Sequence, residues 1–455
     1  MPPNHENSTH ISKNRKNDVE ERDYEMKVKT YAARDSVLTE INKQKHLLTL
    51  YRIFVAIFLT LFVNSLFHNY FHQESVTTNY NLIIENFKKF HITVVAWICT
   101  FSSTLWVYFG FKYWAKGRLY LIPNSFLSYI WNKLWIIAYV IHFIAILYLP
   151  IWFVYKYDFG FASSMVITVE TTRLLMKTYA VVRTNVPRLM RTNLMKEFPK
   201  FSQYLFYLFA PTMVYRDSYP RSKGPIKWRI VGSLVLEMVA VIMLYSMIFQ
   251  RSYLDGFKNY GLKPYRWTDV VTIILNNSFY SIFLFTLTFY LILHVWQNIW
   301  AEMLQFSDKL FYEDWWTSSS YSRYYRTWNV IVHDWLYNYV YKDVYEILCP
   351  GNKFVAKQIV FFISALFHEY VTAISLGFYV PIFMIFFFVL GNYFTYVKFS
   401  SPFVGNVFIW YTLTLGSSMM FATATMEHFC RINYVKEEFT INNFFTPKFL
   451  NCMSF

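Results

Sequence analysis

Apolar runs on the order of 20 residues recur along the chain, the length a helix needs to cross a hydrocarbon core about 30 Å thick. The clearest are Ile53–Phe67, Ile92–Phe111, Leu134–Tyr155, Ile230–Phe249, Val270–Trp296, Ile359–Tyr379, Ile382–Tyr396 and Val404–Ala424. Two shorter runs, Phe161–Met176 with Glu170 and Arg173 inside and Phe201–Val214 with Pro211, read as partial or re-entrant helices. The pattern therefore predicts an all-α polytopic membrane protein of eight to ten helices. Residues 1–48 break it: 9 Lys and Arg mix with 8 Asp and Glu, without the apolar core of a signal peptide. We expect a largely disordered cytosolic tail over 1–48 and a membrane domain over 49–455. Within the tail, Tyr31–Leu50 fits a weakly amphipathic surface helix or a solvated linker equally well.

One stretch departs from the span pattern. Of the 31 residues of Phe311–Tyr341, 12 are Phe, Trp or Tyr, yet Arg323, Arg326, Asn329, His333 and Asp334 interrupt them. A charge within a bilayer span costs several kcal/mol, so the stretch is expected at the membrane surface or lining a cavity. Between Arg183 and Arg229 ten cations face only Glu197 and Asp217, which places that loop in the cytosol by the positive-inside rule. Two long apolar runs separate it from the aromatic stretch, so both lie on the same side.

Composition narrows the possibilities further. The chain is 55% hydrophobic and 22% aromatic with a net charge of +15, which excludes a soluble globular protein and favours anionic lipid or a phosphate-bearing substrate over nucleic acid. Four cysteines show no zinc-ligand spacing, so no metal site is signalled; Cys430 and Cys452 alone could pair, if that end is lumenal.

Candidate chemistry sits in two places. A helix over Ser322–Asp334 would turn Arg323, Arg326, Asn329 and His333 to one cationic, donor-rich face suited to phosphates and amides, or alternatively to lipid headgroups. In Lys353–Tyr379, Lys357, Ser364, His368, Thr372 and Ser375 draw a polar stripe down an otherwise apolar helix. A mid-span imidazole is suited to proton transfer near neutral pH; the alternative is a structural histidine bonded to a neighbouring helix. Glu369 lies about 100° round the helix from His368, so it does not orient that ring directly.

The runs FYEDWW (Phe311–Trp316), WNVIVHDWLY (Trp328–Tyr337) and SALFHEY (Ser364–Tyr370) resemble the membrane-bound O-acyltransferases, in the branch of sterol and diacylglycerol O-acyltransferases. NVPRLM (Asn185–Met190) and FAPTMVYRDSYPR (Phe209–Arg221) resemble the sterol branch, and the similarity extends from about Tyr51 onward. The resemblance implies about nine transmembrane helices around an intramembrane reaction chamber, with long-chain acyl-CoA entering from the cytosol as co-substrate, no cofactor, and a sterol arriving from the membrane lipid. By the same resemblance His368 is the catalytic base and Asn329 its partner. Arg323, Arg326, His333, Tyr341, Lys353 and Ser364 contact acyl-CoA, and Phe311, Tyr312, Asp314, Trp315 and Trp316 form the family motif. A homodimer or homotetramer in the endoplasmic reticulum membrane is implied as well. Thr317 and Arg323 stand where asparagines are expected. Diacylglycerol acylation is the alternative activity, and a channel or transporter with a pore-lining His368 is the reading from another class.

Overall fold

The computed structural model describes residues 29–71, 77–192, 195–435 and 440–454. After a short turn α1 (Val37–Ile41), the chain runs through α2 (Lys45–Phe71), α3 (Thr77–Asn86), α4 (Phe90–Leu121), α5 (Ser125–Tyr157) and α6 (Phe161–Thr192). There follow α7 (Phe201–Phe209), α8 (Trp228–Phe257), α9 (Trp267–Met303), α10 (Tyr321–Thr327) and α11 (Val330–Leu336). The chain closes with α12 (Lys353–Leu376), α13 (Met384–Phe394), α14 (Pro402–Tyr434) and α15 (Ile441–Phe445). Two short strands, β1 (Tyr265–Arg266) and β2 (Met453–Ser454), pair in parallel and tie the end of the chain to the α8–α9 loop.

Among the described residues seven helices are long and apolar enough to cross a membrane: most of α2, α3 with α4, α5, α8, α9, α12 and α14. Two further helices depart from expectation. The run Phe161–Met176 is no partial helix but the first half of α6, 32 residues long. Its charges are satisfied internally: Arg173 pairs with Glu170, the Trp97 indole donates to Glu170, and Arg173 donates to the Leu208 carbonyl. Buried Lys177 donates to the Tyr207 and Ala210 carbonyls at 2.6 Å each. Arg173 and Lys177 thus satisfy carbonyls that the end of α7 leaves without helical partners. Conversely, Ile382–Tyr396 is shorter than a span, since α13 covers only Met384–Phe394, about 16 Å of helix.

The aromatic stretch is divided, and much of it packs inside the bundle. Phe311, Tyr312, Trp315, Tyr321, Tyr324, Trp335 and Tyr339 are buried rather than spread over an interface. Trp315 is the hub, with the rings of Phe289, Trp328 and Trp410 centred 5.1, 4.6 and 5.5 Å away. Ring charge and ring area both favour such edge-on clusters in a core. The start of α14 is stitched to this hub. Asn406 donates to the Trp316 and Ser318 carbonyls at 2.9 Å each, and the Trp410 indole donates to Trp316. A Cβ at Gly405 would collide with the Ser319 carbonyl, so only glycine permits this approach.

Of the polar tail, residues 1–28 lie outside the described residues, and 29–36 run extended against the bundle. Tyr31 bonds Thr212 and Val214, Arg34 forks onto Asp308 at 2.7 and 3.1 Å, and Ser36 is fully buried. At the other end Cys430 and Cys452 form a disulfide. Glu427 accepts the Lys448 and Phe449 N–H groups, so the last residues are held to the end of α14.

Gly405→Ala should overpack the contact between α14 and the Trp316–Ser319 turn at a cost of about 1–3 kcal/mol. The detergent-solubilised protein should then melt several degrees lower, and an unchanged melting temperature would show that this approach is not tight.

Candidate active site

α12 starts at Lys353, capped by Asn352, whose side chain accepts the Val355 N–H, and ends where Gly377 adopts a left-handed φ of 79°. His368 lies 15 residues into it, about 22 Å from the first turn by helical rise. Its Nδ1 sits 2.7 Å from the Ser364 carbonyl one turn back. A carbonyl oxygen only accepts, so Nδ1 carries the proton and Nε2 presents a lone pair. Nε2 has no hydrogen-bond partner among the described residues. The His368 side chain is accessible within the protein.

The rings of Phe383 and Phe387 close one side of this histidine, centred 5.3 and 4.9 Å from the imidazole. Their position depends on Glu369, which sequence reasoning set aside. Its buried carboxylate accepts the Phe383 and Met384 N–H groups at 2.6 and 3.0 Å, the free donors at the start of the next helix. Glu369 therefore anchors the start of the segment that carries Phe383 and Phe387. A helix start just beyond Pro381, with an acid nearby to receive it, is the signal that would have found it.

The expected helix over Ser322–Asp334 is broken. α10 ends at Thr327, and Asn329 caps α11 by accepting the Val332 N–H at 3.1 Å. Because the Asn329 oxygen is committed to the cap, its NH₂ group is the end left to donate. The break splits the predicted face. Arg323 turns away to Asp314, 3.1 Å from each oxygen, and Thr317 donates to the same carboxylate at 2.8 Å. The two departures from the family motif thus meet on one motif residue, and Arg323 is committed there.

Arg326 and His333 stay together. Burial holds the His333 imidazole below its usual range, and the nearby cations of Arg326 and Lys29 push the same way against Asp334. Near pH 7 His333 is therefore a neutral hydrogen-bonding group. Beyond it, Tyr337, Tyr341 and Tyr345 continue the spacing as a ladder of nearly parallel rings, at 6.4, 5.6 and 6.0 Å centre to centre. Tyr341 thus sits in a half-buried aromatic column, a surface suited to stacking against a planar group.

The two halves meet at α12. Tyr325 of α10 packs edge-on against Phe361 at 5.2 Å and also faces Phe387, which touches His368. Phe361, Ser364 and His368 recur at helical spacing on one side of α12. The rest of the polar stripe is spent on structure. Lys357 donates to Thr395 and lies 3.7 Å over the Tyr396 ring, and Ser375 meets Thr168 of α6. Lys353 is exposed at the start of α12, far along the axis from His368. A ligand touching both must be long and extended.

Residues 37–426 match MBOAT, the membrane-bound O-acyltransferase family. Sterol O-acyltransferase 1 of Mus musculus is 32% identical over 433 residues, covering 93% of this chain and 79% of its own. Sterol O-acyltransferase 2 of Homo sapiens is 32% identical over 435 residues, covering 94% and 81%. On a match of this extent, the chain belongs to the membrane-bound O-acyltransferase family.

Proposed function

We propose that the protein transfers a long-chain acyl group from acyl-CoA to the hydroxyl of a sterol, giving a steryl ester and free CoA. The observation that carries the proposal is the fixed tautomer of His368, an accessible base deep along an apolar helix. The names of the similar proteins supply the substrate class.

In the reaction, Nε2 of His368 takes the proton of the sterol hydroxyl as its oxygen attacks the thioester carbonyl; such a base is worth about 10²–10⁴ in rate. The NH₂ group of Asn329 donates to the oxyanion that develops. Collapse breaks the carbon–sulfur bond, and the imidazolium returns its proton to the departing thiolate. A thiol pKa of about 8.5 makes this departure easy, and no cofactor takes part. Arg326, His333 and the column containing Tyr341 take the phosphate and nucleotide end of the donor, and Lys353 marks its entrance.

Orientation follows from charge and cysteine chemistry together. α8 leads from the basic loop to Gly261, whose backbone lies against Cys430 and Asn433 at the end of α14. The disulfide is therefore across the membrane from the basic loop. With that loop cytosolic, Cys430–Cys452 faces an oxidising lumen, which fits the endoplasmic reticulum. The cytosolic side then holds the entrance to α12, the side on which acyl-CoA is found. Assembly as a homodimer or homotetramer completes the proposal.

Three variants test it in purified protein supplied with labelled oleoyl-CoA and either a sterol or a diacylglycerol. His368→Ala should abolish steryl ester formation while the protein remains folded; substantial turnover would remove His368 from the reaction. Asn329→Asp keeps the oxygen that caps α11 but loses the donor, so kcat should fall about 10²-fold or more without loss of thermal stability. A full kcat would exclude the amide from the oxyanion. Arg326→Ala should raise KM for oleoyl-CoA, and an unchanged KM would return that face to lipid headgroups. Triacylglycerol in place of steryl ester would overturn the sterol assignment.

A further inference from the structure

The face assigned to the donor contains a liability. Asp334 follows His333 directly, and its carboxylate, only 20% exposed, adds a negative charge beside Arg326 where phosphates are to arrive. At short range a like charge is costly, more so away from bulk water. The structure sets against it a cation from the far end of the chain. Lys29, with 14% of its side chain exposed, places Nζ 2.5 Å from Asp334 Oδ2.

The position of Lys29 is built rather than incidental. Its carbonyl accepts from the guanidinium of Arg216, within the Phe209–Arg221 run singled out in the sequence, at 3.4 Å. Two residues on, Tyr31 wedges edge-on against Tyr219 at 5.2 Å and anchors its hydroxyl on Thr212 and Val214. Arg34 then locks the strand, with its guanidinium on Asp308 and its N–H on the Ser307 carbonyl at 2.8 Å. A segment pinned at three successive points loses little further entropy when its first side chain forms a pair. Lys29 also lies close enough to His333 to bear on its protonation, so it belongs to the same electrostatic neighbourhood.

We propose that Lys29 is a positioning residue of the acyl-CoA site: its ammonium neutralises Asp334, so that the phosphate-bearing part of the donor meets Arg326 without opposition. This rests on the acyl-CoA reading of the Arg326–His333 face. It gives the N-terminal strand a part in the recognition of an anionic substrate, through charge balance, and no motif in the tail announces it.

The test compares initial rates against oleoyl-CoA for full-length protein in nanodiscs, at low and at physiological salt. Lys29→Ala and Lys29→Gln should raise KM about fivefold to tenfold, as expected for loss of a coupled charge. The effect should shrink as salt rises, and Lys29→Arg should stay near the wild-type value. The decisive variant is the double one. With Asp334→Asn added, Lys29→Ala should return toward the wild-type KM, because no uncompensated carboxylate is left. A KM that stays raised in the double variant would mean that Lys29 only holds the strand in place, and the inference would fall. It would fall equally if Lys29→Ala and Lys29→Gln both left KM untouched while Arg326→Ala raised it. An Arg326→Ala protein with wild-type KM would instead bring down the underlying acyl-CoA reading, a separate outcome.

Discussion

A histidine inside a membrane protein is useful as a base only if its proton and its lone pair are on fixed nitrogens. The bond from Nδ1 of His368 to the Ser364 carbonyl does this within a single helix, one turn apart. It needs no carboxylate partner, which would add a second charge to a region where charge is costly. The adjacent carboxylate, Glu369, is directed elsewhere and holds the start of the helix carrying Phe383 and Phe387. Two neighbouring residues on α12 are therefore held differently: His368 bonds back within its own helix through Nδ1, and Glu369 holds the start of the next helix.

Several charges elsewhere in the bundle are satisfied by backbone groups. Buried Lys177 and Arg173 are absorbed by the carbonyl end of α7, and Glu427 by the backbone of the chain's last residues. Each is a charge that would otherwise be expensive, converted into a joint between elements that sequence distance keeps apart. The aromatic hub at Trp315 works in the same direction. It fixes α9, α10 and α14 against one another, so the junction at Asn329 follows directly on a packed core.

Much of this was legible in the sequence because it depends on local patterns. Apolar run lengths gave most of the helices, and the interrupted run around His368 is the helix α12. Where periodicity misled, the cause was a partner far along the chain. Glu170 and Arg173 read as obstacles to a long helix because their partners, Trp97 and the Leu208 carbonyl, are many residues away. The single face proposed over Ser322–Asp334 failed because Asn329, taken only as a donor on that face, also caps a new helix. The Lys29–Asp334 pair lay beyond reach for the same reason, since nothing local in a charge-mixed tail says which acid it will meet. The family resemblance rested on short runs whose residues divide between buried and accessible positions. Phe311, Tyr312 and Trp315 proved to be packing, whereas His368 remained accessible.

The central claim is that Nε2 of His368 faces the reacting atoms while Nδ1 stays on Ser364. A structure of the protein with a non-hydrolysable thioether analogue of oleoyl-CoA measures this directly. The account predicts that the analogue's reacting carbon lies beside Nε2, leaving room for one hydroxyl between them, with the Nδ1 bond kept. An analogue seated away from α12, or an imidazole turned so that Nδ1 faces that carbon, would contradict it.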